Sequence, residues 1–374
     1  MGTLQNDRNP GLHTRNSSIE LLKVIGIVLI VVCHAVQTMG NLIDLETATI
    51  DFQVLALVAL RYNGILGNTL FFVCSAWFLL DSSKWNLKKE IAMLLDIWVI
   101  SLGICAVALV LRKGALPPKM LLRSLFPNVF QNNWYLTCYL LFYPIHPWLN
   151  RLIAAMPQRV LLRAAVGMGI LYIGCNYLAD MFFSSSLILW VTVYFVVAYM
   201  KFYLPVISAK AKWNWIGLGI GLMGNLGIIL LTDLLGLRIP FFSDKLLHWN
   251  KSCSPFLLLA SLSSLDLARR VTFTNRAVNY VSSLSLLVYL FHENLLVRSY
   301  CRPALWEAAV SRYGEGLLLP ITLVLAAGLY LFGFACSALY AATVQRLTRR
   351  IAEPVADGLK KRWGKLEQAL LRLH

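Results

Sequence analysis

The sequence predicts an all-α integral membrane protein of about ten transmembrane helices, and three observations carry that prediction. Of its residues, 58% are hydrophobic and 14% charged, against near half and about a quarter in soluble globular chains. Mean hydropathy is +0.66, and apolar windows recur along the chain, several long enough as helices for a hydrocarbon layer of ~30 Å. Lys and Arg are also distributed unevenly: with the N-terminus placed in the cytosol, 23 of the 34 fall in cytosolic segments, the asymmetry that cytoplasmic loops show. Both termini are therefore predicted to be cytosolic. The net charge of +16 follows from these loops rather than from a solvated basic face, so no nucleic-acid partner is expected.

The windows are 20–40, 53–80, 91–111, 134–149, 160–179, 186–204, 214–236, 254–268, 281–298 and 316–342. The fourth, eighth and ninth are short for a bilayer. Residues 1–19 form a polar cytosolic segment with neither an apolar region nor a small-residue cleavage site, so the first helix is expected to be retained. The glycosylation sequon Asn16-Ser17-Ser18 falls on the cytosolic side and reads as accidental. One connection departs from the charge bias: Arg112, Lys113, Lys119 and Arg123 surround Pro117-Pro118 on the outer side.

The first window, ELLKVIGIVLIVVCHAVQTMG, places one lysine near its start and one histidine well inside. Lys23 and His34 are eleven residues apart, three helical turns, so both project from one face with Glu20, Ile27, Ile30 and Gln37 on or beside it. The imidazole lies roughly 16 Å beyond the ammonium at ~1.5 Å per residue. An ionisable group at such depth is costly and faces a bundle interior or a wet cavity.

In the second window Arg61, Asn68 and Ser75 recur every seven residues, within ~40° of one line on a helix, beside Gly64 and Gly67, which permit close helix approach. Arg61 either meets an anion in the bundle or snorkels to the outer interface. The ninth window carries Tyr289-Leu-Phe-His292-Glu293-Asn294. His292 and His34 fall at comparable depths on outward-running helices, so two imidazoles, the Glu293 carboxylate and Arg61 are placed to meet in the outer half of the bilayer. The fourth window opens with Asn133, Trp134 and Tyr135. These form either an interfacial aromatic belt or a platform for a sugar ring at the outer mouth.

The chain divides into the segment 1–19, a transmembrane domain 20–343 and a basic amphipathic tail 344–374. Past Pro354, the residues Leu359, Trp363, Leu366, Leu370 and Leu373 recur at helical spacing among Lys360, Lys361, Lys365 and Arg372. This predicts a helix lying on the anionic inner leaflet, with membrane lipids as its partner. The eight cysteines show no metal-binding spacing and read as packing residues, with a Cys253–Cys301 disulfide as the minor alternative.

An imidazole that is neutral near pH 7 takes a proton from a hydroxyl, and a neighbouring carboxylate fixes its tautomer or stabilises the imidazolium. Basic residues at the cytosolic entrance suit a phosphate-bearing donor. The sequence has no Gly-rich phosphate loop, no HExxH and no GxSxG, so ATP-driven transport by this chain alone, zinc hydrolysis and a serine elbow are not expected. Neither a metal nor a permanently bound cofactor is called for. The other class these features allow is a transporter or flippase for a lipid-linked sugar, in which embedded charges bind substrate and no bond is made. Against it, no matched pair of broken helices is visible in two halves of the sequence.

Glu20-x-x-Lys23-x10-His34, the FFVCSAWFLLDS segment from Phe71 to Ser82, and VYLFHEN from Val288 to Asn294 resemble the membrane acyltransferase 3 family, in particular its branch acting on bacterial surface polysaccharides. The resemblance spans about Arg15 to Tyr340 and extends to WYLTCYLLFYPIHPWLN and LWVTVYFVVAYMKFY. It implies an enzyme of about ten spans in the bacterial plasma membrane that uses cytosolic acyl-CoA, acetyl-CoA by analogy, to acylate a carbohydrate hydroxyl in capsule or exopolysaccharide. His34 would be the catalytic histidine, supported by Glu293 or His292. Lys23, with Glu20 beside it, would be the basic partner at the donor, and Arg61 and Ser75 would be the arginine and serine of the second-span motif. This chain departs from the family in having Ala76 where Gly is common after the serine and Lys23 where Arg is common. The second change replaces a bidentate fork with a point charge.

Overall fold

The computed structural model describes residues 16–40, 51–111, 114, 116–130, 132–179, 186–204, 210–236, 238–239, 241–242, 249 and 254–371. Among them there is no strand. The helices are α1 (Ser17–Gly40), α2 (Phe52–Gly64), α3 (Leu66–Leu79), α4 (Leu87–Leu111), α5 (Pro118–Leu125), α6 (Trp134–Phe142), α7 (His146–Ala155), α8 (Gln158–Met168), α9 (Cys175–Ala179), α10 (Ser186–Tyr203), α11 (Ala211–Gly236), α12 (Pro255–Arg269), α13 (Arg276–His292), α14 (Arg302–Tyr313), α15 (Leu318–Thr343) and α16 (Gln345–Leu371).

Seven of the ten predicted windows coincide with helices, or helix pairs in line, long and apolar enough to cross a membrane. The remaining three are those that are short in the sequence, and each differs for a stated reason. The 134–149 window splits into α6 and α7 at Pro144, which lacks the N–H a helix needs there, and Pro147 restarts the helix in its first turn. The 254–268 window forms α12, a single helix of 15 residues. The 281–298 window is not one helix: α13 stops at His292, and Val297–Tyr313 leaves at a bend of 61°. Among the described residues, seven candidate spans, or eight with this broken pair, stand where about ten were predicted.

α1 is the central element, packed against α2, α3, α12, α13 and α15. Glycines on α2 and α3 make that packing close. A Cβ placed on Gly64 would lie 2.6 Å from Cys33 Cβ, and one on Gly67 would lie 3.0 Å from the Ile30 backbone nitrogen. Gly67→Val is therefore expected to overpack the α1–α3 seam by about 1–3 kcal/mol, read as a lower melting temperature of the purified protein, whereas valine at Gly103, where a Cβ meets nothing within 4 Å, serves as the tolerant control.

The tail helix starts earlier than the sequence predicts and runs through Pro354. Its first half is not free, because α4 holds it: Gln345 Nε2 and Thr348 Oγ1 donate to the buried Asp96 carboxylate at 3.0 and 2.6 Å, as Tyr340 Oη of α15 does at 2.9 Å. Ala352 and Ala356 close against Ile91, and Lys88 pairs with Glu353 at 2.6 Å. That ammonium holds the Glu353 carboxyl below the usual carboxylate range. Leu359 and Trp363 are exposed. The side chains of Leu366 and Leu370, together with Arg372, Leu373, Cys253, Arg112, Lys113 and the segment before Asn16, lie outside the described residues.

Candidate active site

His34 sits inside α1, preceded by a run rich in Val and Ile, and its ring meets α13 at that helix's last residue. His34 Nδ1 is 3.0 Å from His292 Nε2 and 3.0 Å from Glu293 Oε2. The ring centroids are 5.3 Å apart, inclined at 35°.

The position of Glu293 depends on the break in the helix. Its backbone leaves helical geometry at φ −99°, ψ 9°, in the sparsely populated bridge region where many site residues lie. The Asn294 side chain then accepts the Leu296 N–H at 3.0 Å and starts the next turn. A π-helical turn, Val297–Cys301, follows and brings two arginines back toward the carboxylate. Arg298 Nη1 reaches Glu293 Oε1 at 2.9 Å, and Arg302 Nη2 reaches Oε2 at 3.1 Å. Arg302 is 2% exposed, and its Nη1 also lies 3.5 Å from the His34 carbonyl oxygen.

These contacts fix the proton positions. The Val288 carbonyl lies 2.7 Å from His292 Nδ1 and only accepts, so that nitrogen carries the hydrogen. In the neutral ring His292 Nε2 is then an acceptor, and His34 Nδ1 is the donor to it, with Glu293 Oε2 at 3.0 Å from the same nitrogen as a neighbouring charge. The lone pair of His34 is thereby left on Nε2. The side chain of His34 is 15% exposed while that of Glu293 is 6% exposed, so of the histidine–carboxylate pair the imidazole is the more reachable. The arrangement is a base oriented by a second imidazole, with a carboxylate held by two guanidiniums as the nearby charge.

His34, His292 and Glu293 also form a donor set within 4.8 Å that a metal ion accepts by residue type. The neighbouring charges oppose that use. Both Glu293 oxygens already face guanidiniums, and His292 has its second nitrogen committed to Val288. A divalent cation here would sit beside two fixed positive charges.

The other sequence-predicted residues lie apart from this cluster. Lys23 pairs with Glu20 at 3.3 Å, and Glu20 also takes a hydrogen bond from Ser282. Lys23 Nζ lies 5.7 Å from the Phe71 ring centroid. Between Lys23 and His34, α1 presents Ile27 and Ile30, both buried. Arg61 is not brought to Glu293: it lies over the Tyr62 ring at 5.4 Å and makes no ion pair or hydrogen bond among the described residues. Ser75 donates to the Phe71 carbonyl of its own helix at 2.8 Å. Of the predicted aromatic platform, Trp134 is exposed and borders a crevice with Asn68, Ser186 and Trp190, whereas Asn133 and Tyr135 are buried.

The family model described as the acyltransferase domain matches residues 16–341. The chain belongs to the acyltransferase 3 family. No curated protein and no solved structure matches it. Within this multi-pass membrane acyltransferase, the match covers the whole bundle from α1 to the last turn of α15 and takes in every residue of the His34 cluster. It ends before α16 begins, so the tail helix is an addition at the edge of the family domain.

Arg298 and Arg302 are the members of the cluster that sequence reasoning missed. Both are counted as outer-loop charges when the ninth window is read as one helix. Their spacing of four residues, a few positions after the His292-Glu293-Asn294 interruption, is the signal that marks them.

Proposed function

We propose that the protein is an integral membrane O-acyltransferase that moves an acetyl group from acetyl-CoA to a hydroxyl of a surface carbohydrate in a bacterial cell membrane. The observation that carries this reading is the His34 imidazole with its lone pair on Nε2 and its Nδ1–H held by His292 beside the Glu293 carboxylate, in a chain of a family of acyltransferases. Nε2 takes the proton from the acceptor hydroxyl as its oxygen attacks the thioester carbonyl. The C–S bond then breaks, and the imidazolium returns the proton to the departing thiolate. The Glu293 carboxylate stabilises the imidazolium between the two steps. The same Nε2 is the atom that would carry the acetyl group in a two-step transfer, and an acyl-histidine trapped in the absence of acceptor distinguishes the routes.

Lys23 offers a point charge to the donor's phosphates at the cytosolic end. Trp134, in a crevice with Asn68 and Trp190, suits the face of a sugar ring. The exposed Leu359 and Trp363 of α16, among Lys360, Lys361 and Lys365, suit the headgroup region of an anionic leaflet. Purified protein in detergent should release coenzyme A and acetate slowly from acetyl-CoA, and cells lacking the protein should lose alkali-labile acetate from their surface carbohydrate. A carrier that makes no bond would do neither. Absence of both effects overturns the assignment.

A further inference from the structure

The face of α13 that meets α1 carries Ser282, Ser285, Tyr289 and His292, at steps of three, four and three residues. At ~100° per residue these span an arc of about 80°. Both ends of the stripe are tied to α1, Ser282 to Glu20 and His292 to His34. Between the ties Ser285 is 1% exposed, and its Oγ has no hydrogen-bond partner among the described residues. Tyr135 on α6 is likewise buried, and its hydroxyl has no partner among them. Buried hydroxyls in that state are rare in folded proteins and ask for an explanation.

A run of rings joins the two ends. Lys23 Nζ is 5.7 Å from the Phe71 centroid, and Phe71 is 5.8 Å from Tyr135. Tyr135 is 6.2 Å from Tyr289, which is 5.8 Å from His292. An ammonium and an imidazole thus stand at the ends of one aromatic run, with unspent hydroxyls on Tyr135 within it and on Ser285 of the adjoining α13 stripe. Such a lining suits a slender, largely apolar chain with a few amide groups, and not a phosphate or a whole sugar. The span along α1 from Lys23 to His34 is ~16 Å at ~1.5 Å per residue. The pantetheine arm of coenzyme A has about twelve bonds from its thiol to its phosphate-bearing oxygen, about four residues' worth of extended chain or roughly 14 Å, and it contains two amides.

We infer that Tyr135, Tyr289 and Ser285 form the track of the pantetheine arm, with Tyr135 and Ser285 hydrogen-bonding its amides while Lys23 takes a phosphate and His34 meets the thioester. This rests on the coenzyme A thioester donor proposed above. The test is calorimetric titration of the purified full-length protein with coenzyme A and with 3′,5′-ADP, the nucleotide part that lacks the arm. Ser285→Ala and Tyr135→Phe should each weaken coenzyme A about three- to tenfold, the worth of one hydrogen bond. Both should leave 3′,5′-ADP unchanged within about twofold, which also reports an intact fold, whereas Lys23→Ala should weaken both ligands. Coenzyme A binding that neither variant changes, or that changes in step with 3′,5′-ADP, overturns the track and leaves the donor proposal standing. A wild-type protein that binds no coenzyme A overturns both.

Discussion

His34→Ala is expected to lower acetyl transfer by about 10²–10⁴-fold, the range that a positioned general base contributes. The effect should fall on kcat, because the ring acts on the reacting hydroxyl and not on donor binding. Glu293→Gln should move the rate in the same direction by a smaller factor. It keeps the size of the side chain, whose oxygen lies 3.0 Å from His34 Nδ1, but it removes the charge that steadies the imidazolium. The pair of variants separates two roles. If His34 merely packs the α1–α13 seam, both substitutions change the melting temperature and leave the turnover of folded protein near wild type. If it is the base, turnover collapses while coenzyme A binding persists. Measuring kcat and KM for acetyl-CoA on protein of matched fold decides between them, and unchanged kcat in His34→Ala would falsify the mechanism.

Much of this cluster is legible in the sequence because membrane chains make ionisable residues conspicuous. Against the apolar background of α1, Lys23 and His34 stand out, and their spacing of three turns gives a shared face without any knowledge of packing. His292 and Glu293 are visible for the same reason. What the sequence does not show is how α13 ends. A helix interior and a helix stop have the same hydrophobic pattern at Leu290–Leu296, and the deciding contact, Asn294 Oδ1 to the Leu296 N–H, is local side-chain chemistry that periodicity does not register. With the stop missed, Arg298 and Arg302 read as loop charges instead of partners of Glu293. Arg61 errs the other way. Depth along α2 places it near the cluster, but depth says nothing about azimuth, and in the structure its guanidinium lies over Tyr62. Tyr135 shows a similar limit, since at the end of a span it reads as an interfacial belt or as a platform for a sugar ring, and the structure buries it.

Arg302 carries the second large effect, on stability. It is 2% exposed, yet a guanidinium there is tolerable because Glu293 Oε2 lies 3.1 Å away. Removing one member of a buried pair typically costs about 3–5 kcal/mol, since the other is left charged in a poorly solvated place. Arg302→Met is expected to fall toward the lower end of that range, because Arg298 still holds Glu293 Oε1 at 2.9 Å from a more exposed position. Glu293→Gln is expected toward the upper end, because Arg302 then faces a neutral amide. The double variant Glu293→Gln/Arg302→Met removes both charges together, and its melting temperature should recover a large part of the loss, as replaced buried pairs do. Its activity should not recover, because the carboxylate that supports the His34 imidazolium is still missing. A double variant that regains turnover along with stability would show that Glu293 acts through the fold alone, leaving His292 as the group that orients the His34 Nδ1 proton.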